Sequence, residues 1–198
     1  MKMKGIYLLG TDNLPSSVRI GEGEKVRTTL VALPGVAADV NLEVVLDGEG
    51  AELDIAGLYV CSGSDRLNLN VNVRHDRGGG ISRQLFRGIA GGESEVEFNG
   101  LVYVAPDAQK TKASQESRAL LLSRGAKVQA KPQLEIYADD VECSHGATVG
   151  FPDEEELFYM RSRGIPEEEA RRLQMISFLA PVLERLPLEL ADKIREAL

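Results

Sequence analysis

The chain has 198 residues, 43% of them apolar and 27% charged, and its net charge is −8. That length suits one domain with a sizeable core. The acidic balance argues against non-specific binding to nucleic acid or to an anionic membrane surface. No apolar run approaches the roughly 20 residues of a membrane span. The start lacks the apolar run and cleavage pattern of a signal peptide, so a cytoplasmic protein is expected.

Residues 1–25 are weakly patterned: IYLL is strand-like, DNLPSS a loop and GEGE a turn. From Val26 the pattern becomes regular. Segments such as VNLEVVLD, AELDIAGLYV, RLNLNVNVRH, ISRQLFRGIA and SEVEFNGLVYV follow one another, separated by short runs rich in Gly, Asp and Ser. Strands spaced this evenly predict an all-β body. The clearest alternation places Leu67, Leu69, Val71, Val73 and His75 on one face, with Asn68, Asn70, Asn72 and Arg74 on the other. Asparagine rows with small turns suit stacked coils, in which equivalent positions lie about 4.8 Å apart. Periodicity by itself leaves a sandwich, a jelly roll and a β-helix open.

The code changes after Gly150. Asp153 is a good N-cap, Glu156 follows three residues later, and acids fill the first turn. Leu157, Phe158 and Met160 supply an apolar face, and Gly164 stops the helix. Pro166 fits the start of a second helix whose face carries Leu173, Ile176, Leu179, Val182 and Leu183; Pro181 is expected to kink or break it. Pro187 opens a last helix, with Leu188, Ala191, Ile194 and Leu198 on one side. The expected division is a β body over residues 1–150 and a helical subdomain over residues 151–198.

Among residues able to carry chemistry, Cys143 and His145 stand first. At i and i+2 on a strand they share a face, with Cα atoms about 6.5 Å apart. A thiolate and an imidazole so placed can reach one metal or one cluster edge. The competing reading is structural: Val141, Ala147 and Val149 share their parity, so the row could be core. His75 ends an apolar strand face and reads first as a core or edge histidine. Cys61 reads as a buried thiol, and two cysteines make no disulfide framework. Gly78-Gly79-Gly80 lacks the Gly-Lys-Ser/Thr of a phosphate loop. The acidic pairs read as a turn and a helix start, and no enzyme constellation is visible.

The stretch KPQLEIYADDVECSHGATVG followed by ELFYMRSRG closely resembles the C-terminal signature of the SufB/SufD family, the SufD branch in particular. The similarity extends back to about Leu67 through RHDRGGGISRQLFRGI, with His75 and Ser82 in matching places, and through FNGLVYVAPDAQKTKASQESRALLLS. The resemblance implies a mainly β fold, an irregular right-handed parallel β-helix with a small C-terminal helical subdomain. It implies a scaffold subunit of iron–sulfur cluster assembly rather than an enzyme. A transient cluster would form at a subunit interface near Cys143 and His145, against a SufB-like subunit or a second copy of this chain. His75 takes a secondary place on the sulfur or iron path.

The same resemblance implies that the C-terminal helices dock a SufC-type ABC ATPase through Phe158, Tyr159, Arg161 and Arg163. The bland reading makes those helices a cap over the last open coil. Family members are about twice as long, and SufB proteins carry Glu-His-Glu where this chain has Ser144-His145-Gly146. Two other readings remain: an interaction module that dimerises and recruits the ATPase without binding a cluster, and, more weakly, a carbohydrate-active β-helix enzyme.

Overall fold

A computed structural model describes residues 3–198; the first two residues of the weakly patterned N-terminal stretch lie outside it. The described residues form eleven strands and three helices. The strands are β1 (Ile6–Leu8), β2 (Ser17–Ile20), β3 (Lys25–Ala32), β4 (Ala37–Leu46), β5 (Glu52–Cys61), β6 (Arg66–His75), β7 (Ile81–Ala90), β8 (Glu95–Val104), β9 (Lys112–Leu121), β10 (Lys127–Ile136) and β11 (Glu142–Gly150). Successive strands alternate between two sheets, ordered β1-β3-β5-β7-β9-β11 and β10-β8-β6-β4-β2, and every pairing is parallel. Two strands therefore make one coil, and the body is a β-solenoid of about five turns. This parallel pairing excludes the antiparallel sandwich and jelly roll that periodicity had left open.

The alternation of β6 is realised as read. Leu67, Leu69, Val71, Val73 and His75 are buried, and the asparagine row faces out. Asn41, Asn70 and Asn99 stack in register, Asn70 donating to Asn41 at 3.0 Å and Asn99 donating to Asn70 at 2.8 Å. Each amide bonds the next, so the row ties neighbouring coils of the parallel stack together. One strand, β2 at Ser17–Ile20, falls in the stretch where the sequence shows too little alternation to mark it.

The core fills the space between the sheets. Phe86 of β7 meets Phe98 of β8 with ring centroids 4.6 Å apart. Tyr59 of β5 lies across Gly88 of β7, where an added Cβ would come 1.8 Å from the ring. Only glycine leaves room for that tyrosine at its place in the stack.

The helices are α1 (Glu154–Ser162), α2 (Glu167–Leu183) and α3 (Leu188–Glu196). Asp153 caps α1, accepting from the backbone N–H of Glu155 at 2.8 Å and of Glu156 at 3.3 Å. Gly164, at φ 87°, turns the chain out of α1. Three expectations fail here. Helix α2 runs through Pro181 without a break and ends two residues later at Leu183. Leu188 is 78% exposed, and the buried side of α3 is Ala191 and Ile194. In α1 only Leu157 is buried, while Phe158 is 73% exposed.

The helices also do not cap the last coil. Leu179, Val182, Leu183, Ala191 and Ile194 pack on the outer side of the six-stranded sheet, against Val31 of β3, Leu58 of β5 and Ile89 of β7. Those strands carry apolar residues on their outward faces as well as their inward ones, and that second apolar face is what the helices cover. The coil made by β10 and β11 is left open at its far side.

Candidate functional site

Strand β11 is the edge of the six-stranded sheet and pairs in register with β9, Cys143 beside Ala113, His145 beside Gln115 and Ala147 beside Ser117. In β9 those partners are buried inside the solenoid. In β11 the same row has no further coil above it. Cys143 is half-buried, and His145, Ala147 and Val149 are exposed. The row is thus neither core nor outer surface: it is the interior lining of the solenoid laid open at its end.

Cys143 packs beside Leu134 and Val141 over a small apolar cluster that includes Val102, Val104 and Ala113. This partial burial raises the thiol above its ordinary range, against a smaller lowering effect from a backbone hydrogen bond at Ala113. His145 stands two positions on, one strand beyond a buried amide pair in which Gln115 donates to Gln84 at 3.0 Å. Gln84 Nε2 and Gln115 Oε1 have no partner among the described residues. That inward row of amides and His145 was not singled out from the sequence. The signal was present as two glutamines on neighbouring coils at equivalent strand positions, but the register that stacks them comes only with the fold.

Cys143 and His145 are brought together; His75 is not brought to them. It is fully buried at the end of β6, with Nε2 2.8 Å from Ser82 Oγ. Ser82 lies two strands below Cys143 in the same inward row, about 10 Å away by strand spacing. Burial pushes the His75 imidazole down to about 4. Cys61 is buried as expected, its thiol pushed up to about 12 by loss of solvent.

Two soft ligands do not close an iron site. Among the described residues no three His, Cys, Asp or Glu side chains come close enough to hold a metal ion. One chain by itself therefore offers a thiol and an imidazole on one face of an unpaired strand edge.

The other candidate residues lie elsewhere. Phe158 and Tyr159 project from α1 into solvent. Arg163 stacks its guanidinium 5.3 Å from the Tyr159 ring centre, and Arg161 pairs with Glu167 at 3.2 Å. Tyr159 and Met160 line a groove of about 490 Å³ with Leu173 and Ser177 of α2. No described helix is long and apolar enough to cross a membrane.

Residues 14–178 match the model of the SufBD core domain of the SUF iron–sulfur cluster assembly system. The chain is 40% identical to the iron–sulfur cluster assembly protein SufD of Escherichia coli over 154 residues, which cover 78% of this chain and 36% of that protein. It is 39% identical to SufD of Bacillus subtilis over 144 residues, 73% of this chain and 33% of that one. A SufBD family protein of Synechocystis, slr0076, is 32% identical over 184 residues, 91% of this chain and 41% of that one. The matched part is thus about a third to two fifths of each relative. With the core-domain match running over residues 14–178 of a parallel solenoid, and with relatives up to 40% identical, the chain belongs to the SufBD family of iron–sulfur cluster assembly proteins.

Proposed function

We propose that this chain acts as a SufD-like scaffold subunit on which a transient iron–sulfur cluster is assembled as cargo. Cys143 and His145 supply ligands from the open last coil. A second subunit, SufB-like or another copy of this chain, pairs with the free edges of β10 and β11 and completes the set. The observation that carries this reading is the uncapped coil: it exposes a thiol and an imidazole on one face beside two unpaired strand edges. A two-fold axis at that edge sets two copies of the pair opposite each other. Open strand edges present rows of unpaired N–H and C=O groups, and a docked partner strand pairs with them.

The α1–α2 face is the docking surface for a SufC-type ATPase. Phe158 and Tyr159 supply exposed aromatic anchors beside an apolar groove, and Arg161 and Arg163 a cationic margin.

A second reading, an interaction module that binds no cluster, draws on the raised Cys143 thiol and the lack of a third ligand near it among the described residues of one chain. Anaerobic reconstitution with ferrous iron and sulfide separates the two. The scaffold reading expects visible cluster absorption that is lost in His145→Ala and Cys143→Ser. Equal cluster uptake by those variants removes both residues from the site, and no uptake with any partner subunit leaves the interaction module. Retention of the cognate ATPase by the chain, and its loss in Phe158→Ala/Tyr159→Ala, tests the docking face.

A further inference from the structure

We infer that the notch between the last strands of the six-stranded sheet and the end of α2 binds a small phosphate-bearing ligand, held by Arg83, Arg118 and Arg185. Helices α2 and α3 cover the outward faces of β3, β5 and β7 and reach β9 only at Leu120, leaving the rest of β9 and β11 open. The step between covered and bare sheet forms a groove of about 550 Å³. That is within the size range of small-molecule sites.

The charge in the notch runs against that of the chain. Two carboxylates, Asp54 and Glu116, stand there. Asp54 binds Arg185 at 2.8 Å and Arg27 at 3.4 Å. Glu116 binds Arg118 at 2.9 Å and also Arg87. Each carboxylate is thus already shared between two guanidiniums. Arg83, next to Asp54 in the strand register, has no ion-pair partner among the described residues. Three arginines line the notch beside two acids that Arg27 and Arg87 also engage, in a protein whose net charge is −8. Such a local excess draws anions and raises their concentration at the groove.

Arg185 gives a second, independent indication. Its side chain is only 9% exposed, yet Nε has no hydrogen-bond partner. A guanidinium this buried, with one donor unused, carries a desolvation cost that the charge of an anion placed beside it reduces. The hydroxyls of Ser114 and Ser144 continue the row that begins with Asp54 and Arg83, and Thr148 adds a third on β11. Donors therefore come from β7, β9, β11 and the turn after α2. A planar carboxylate is satisfied by one arginine fork. A tetrahedral dianion takes forks from several arginines and hydroxyl donors besides, which is what this arrangement offers.

The test uses the full chain without iron, so its outcome is independent of the cluster reading. Inorganic pyrophosphate is titrated into the protein by calorimetry, with citrate as the carboxylate probe. Saturable one-site binding that weakens with added salt is expected. Arg83→Ala/Arg118→Ala is expected to weaken it by about tenfold or more, and Arg83→Gln by less. Lys131→Ala, which removes an exposed cation from the outer side of the other sheet, leaves it unchanged. Arg83 and Arg118 are exposed, and thermal unfolding of each variant verifies that it folds. Absence of saturable binding, equal binding by the double variant, or an equal loss in Lys131→Ala overturns the site. Citrate binding as tight as pyrophosphate overturns the phosphate assignment.

Discussion

His75 Nε2 and Ser82 Oγ lie 2.8 Å apart, joining the end of β6 to the start of β7 inside the solenoid, with both side chains out of contact with water. Gly80 closes over the pair from the intervening turn, where an added Cβ would come 2.8 Å from His75 Nδ1. The imidazole is held neutral because burial disfavours its charged form, an effect that Asp76 opposes only in part.

This burial makes stability depend on pH with a definite sign. In the folded chain His75 titrates at about 4, and in the unfolded chain near its ordinary value of about 6.5. Between those values the unfolded state binds more protons, so stability rises with pH there and is lost as pH falls. The full effect is about 3 kcal/mol once pH is below the folded value. Urea unfolding across this window should show a shallower slope for His75→Gln than for the unaltered chain. Identical slopes would locate the acid sensitivity elsewhere.

The two thiols should separate cleanly under an aromatic disulfide reagent. Cys61, buried with its thiol pushed up to about 12, stays unmodified until the chain unfolds. Cys143 is half-buried and raised above its ordinary range, so it reacts in the native state, slowly, and faster as pH rises. The expected count is one thiol native and two unfolded, with Cys143→Ser abolishing the native reaction. Native labelling that survives in Cys143→Ser would contradict the burial of Cys61.

Gly88 is constrained by space, since Tyr59 occupies the volume that any side chain there would need. Gly88→Ala is expected to lower stability by about 1–3 kcal/mol, read from the denaturant midpoint. Combining it with Tyr59→Leu removes the clash, so the double variant should lose less than the sum of the two single losses. Strict additivity would mean that the two positions do not meet.

His145 is exposed and its side chain makes no hydrogen bond within the described residues, so truncating it should spare the fold. His145→Ala is expected to change unfolding free energy by no more than about 0.5 kcal/mol, while cluster uptake by the assembled subunits falls. A large loss of stability would make His145 a structural residue of the last coil.

Much of the body was legible from residue order. The alternation in β6 named its buried face position by position, because a strand's two faces differ in solvent whatever it pairs with. Turn chemistry marked most strand ends, and the asparagine row pointed to stacking. The weak points had physical causes too. Ser17–Ile20 is too short to show a period. Leu188 and Phe158 are apolar yet exposed, since a helix one face of which is covered gives no local sign of which apolar residues remain outside.

The sequence by itself determined most of the strands, the inward face of β6, the helix starts at Asp153, Pro166 and Pro187, and the placing of Cys143 with His145 on one side of β11. Only the tertiary structure decided that the helices lie against the flank of the sheet and that the last coil stays open, so that Cys143 and His145 line an exposed end instead of a core. Register within one strand follows from local alternation. Which surface a distant helix covers depends on contacts between residues more than a hundred positions apart, such as Arg185 with Asp54, and no local pattern encodes these.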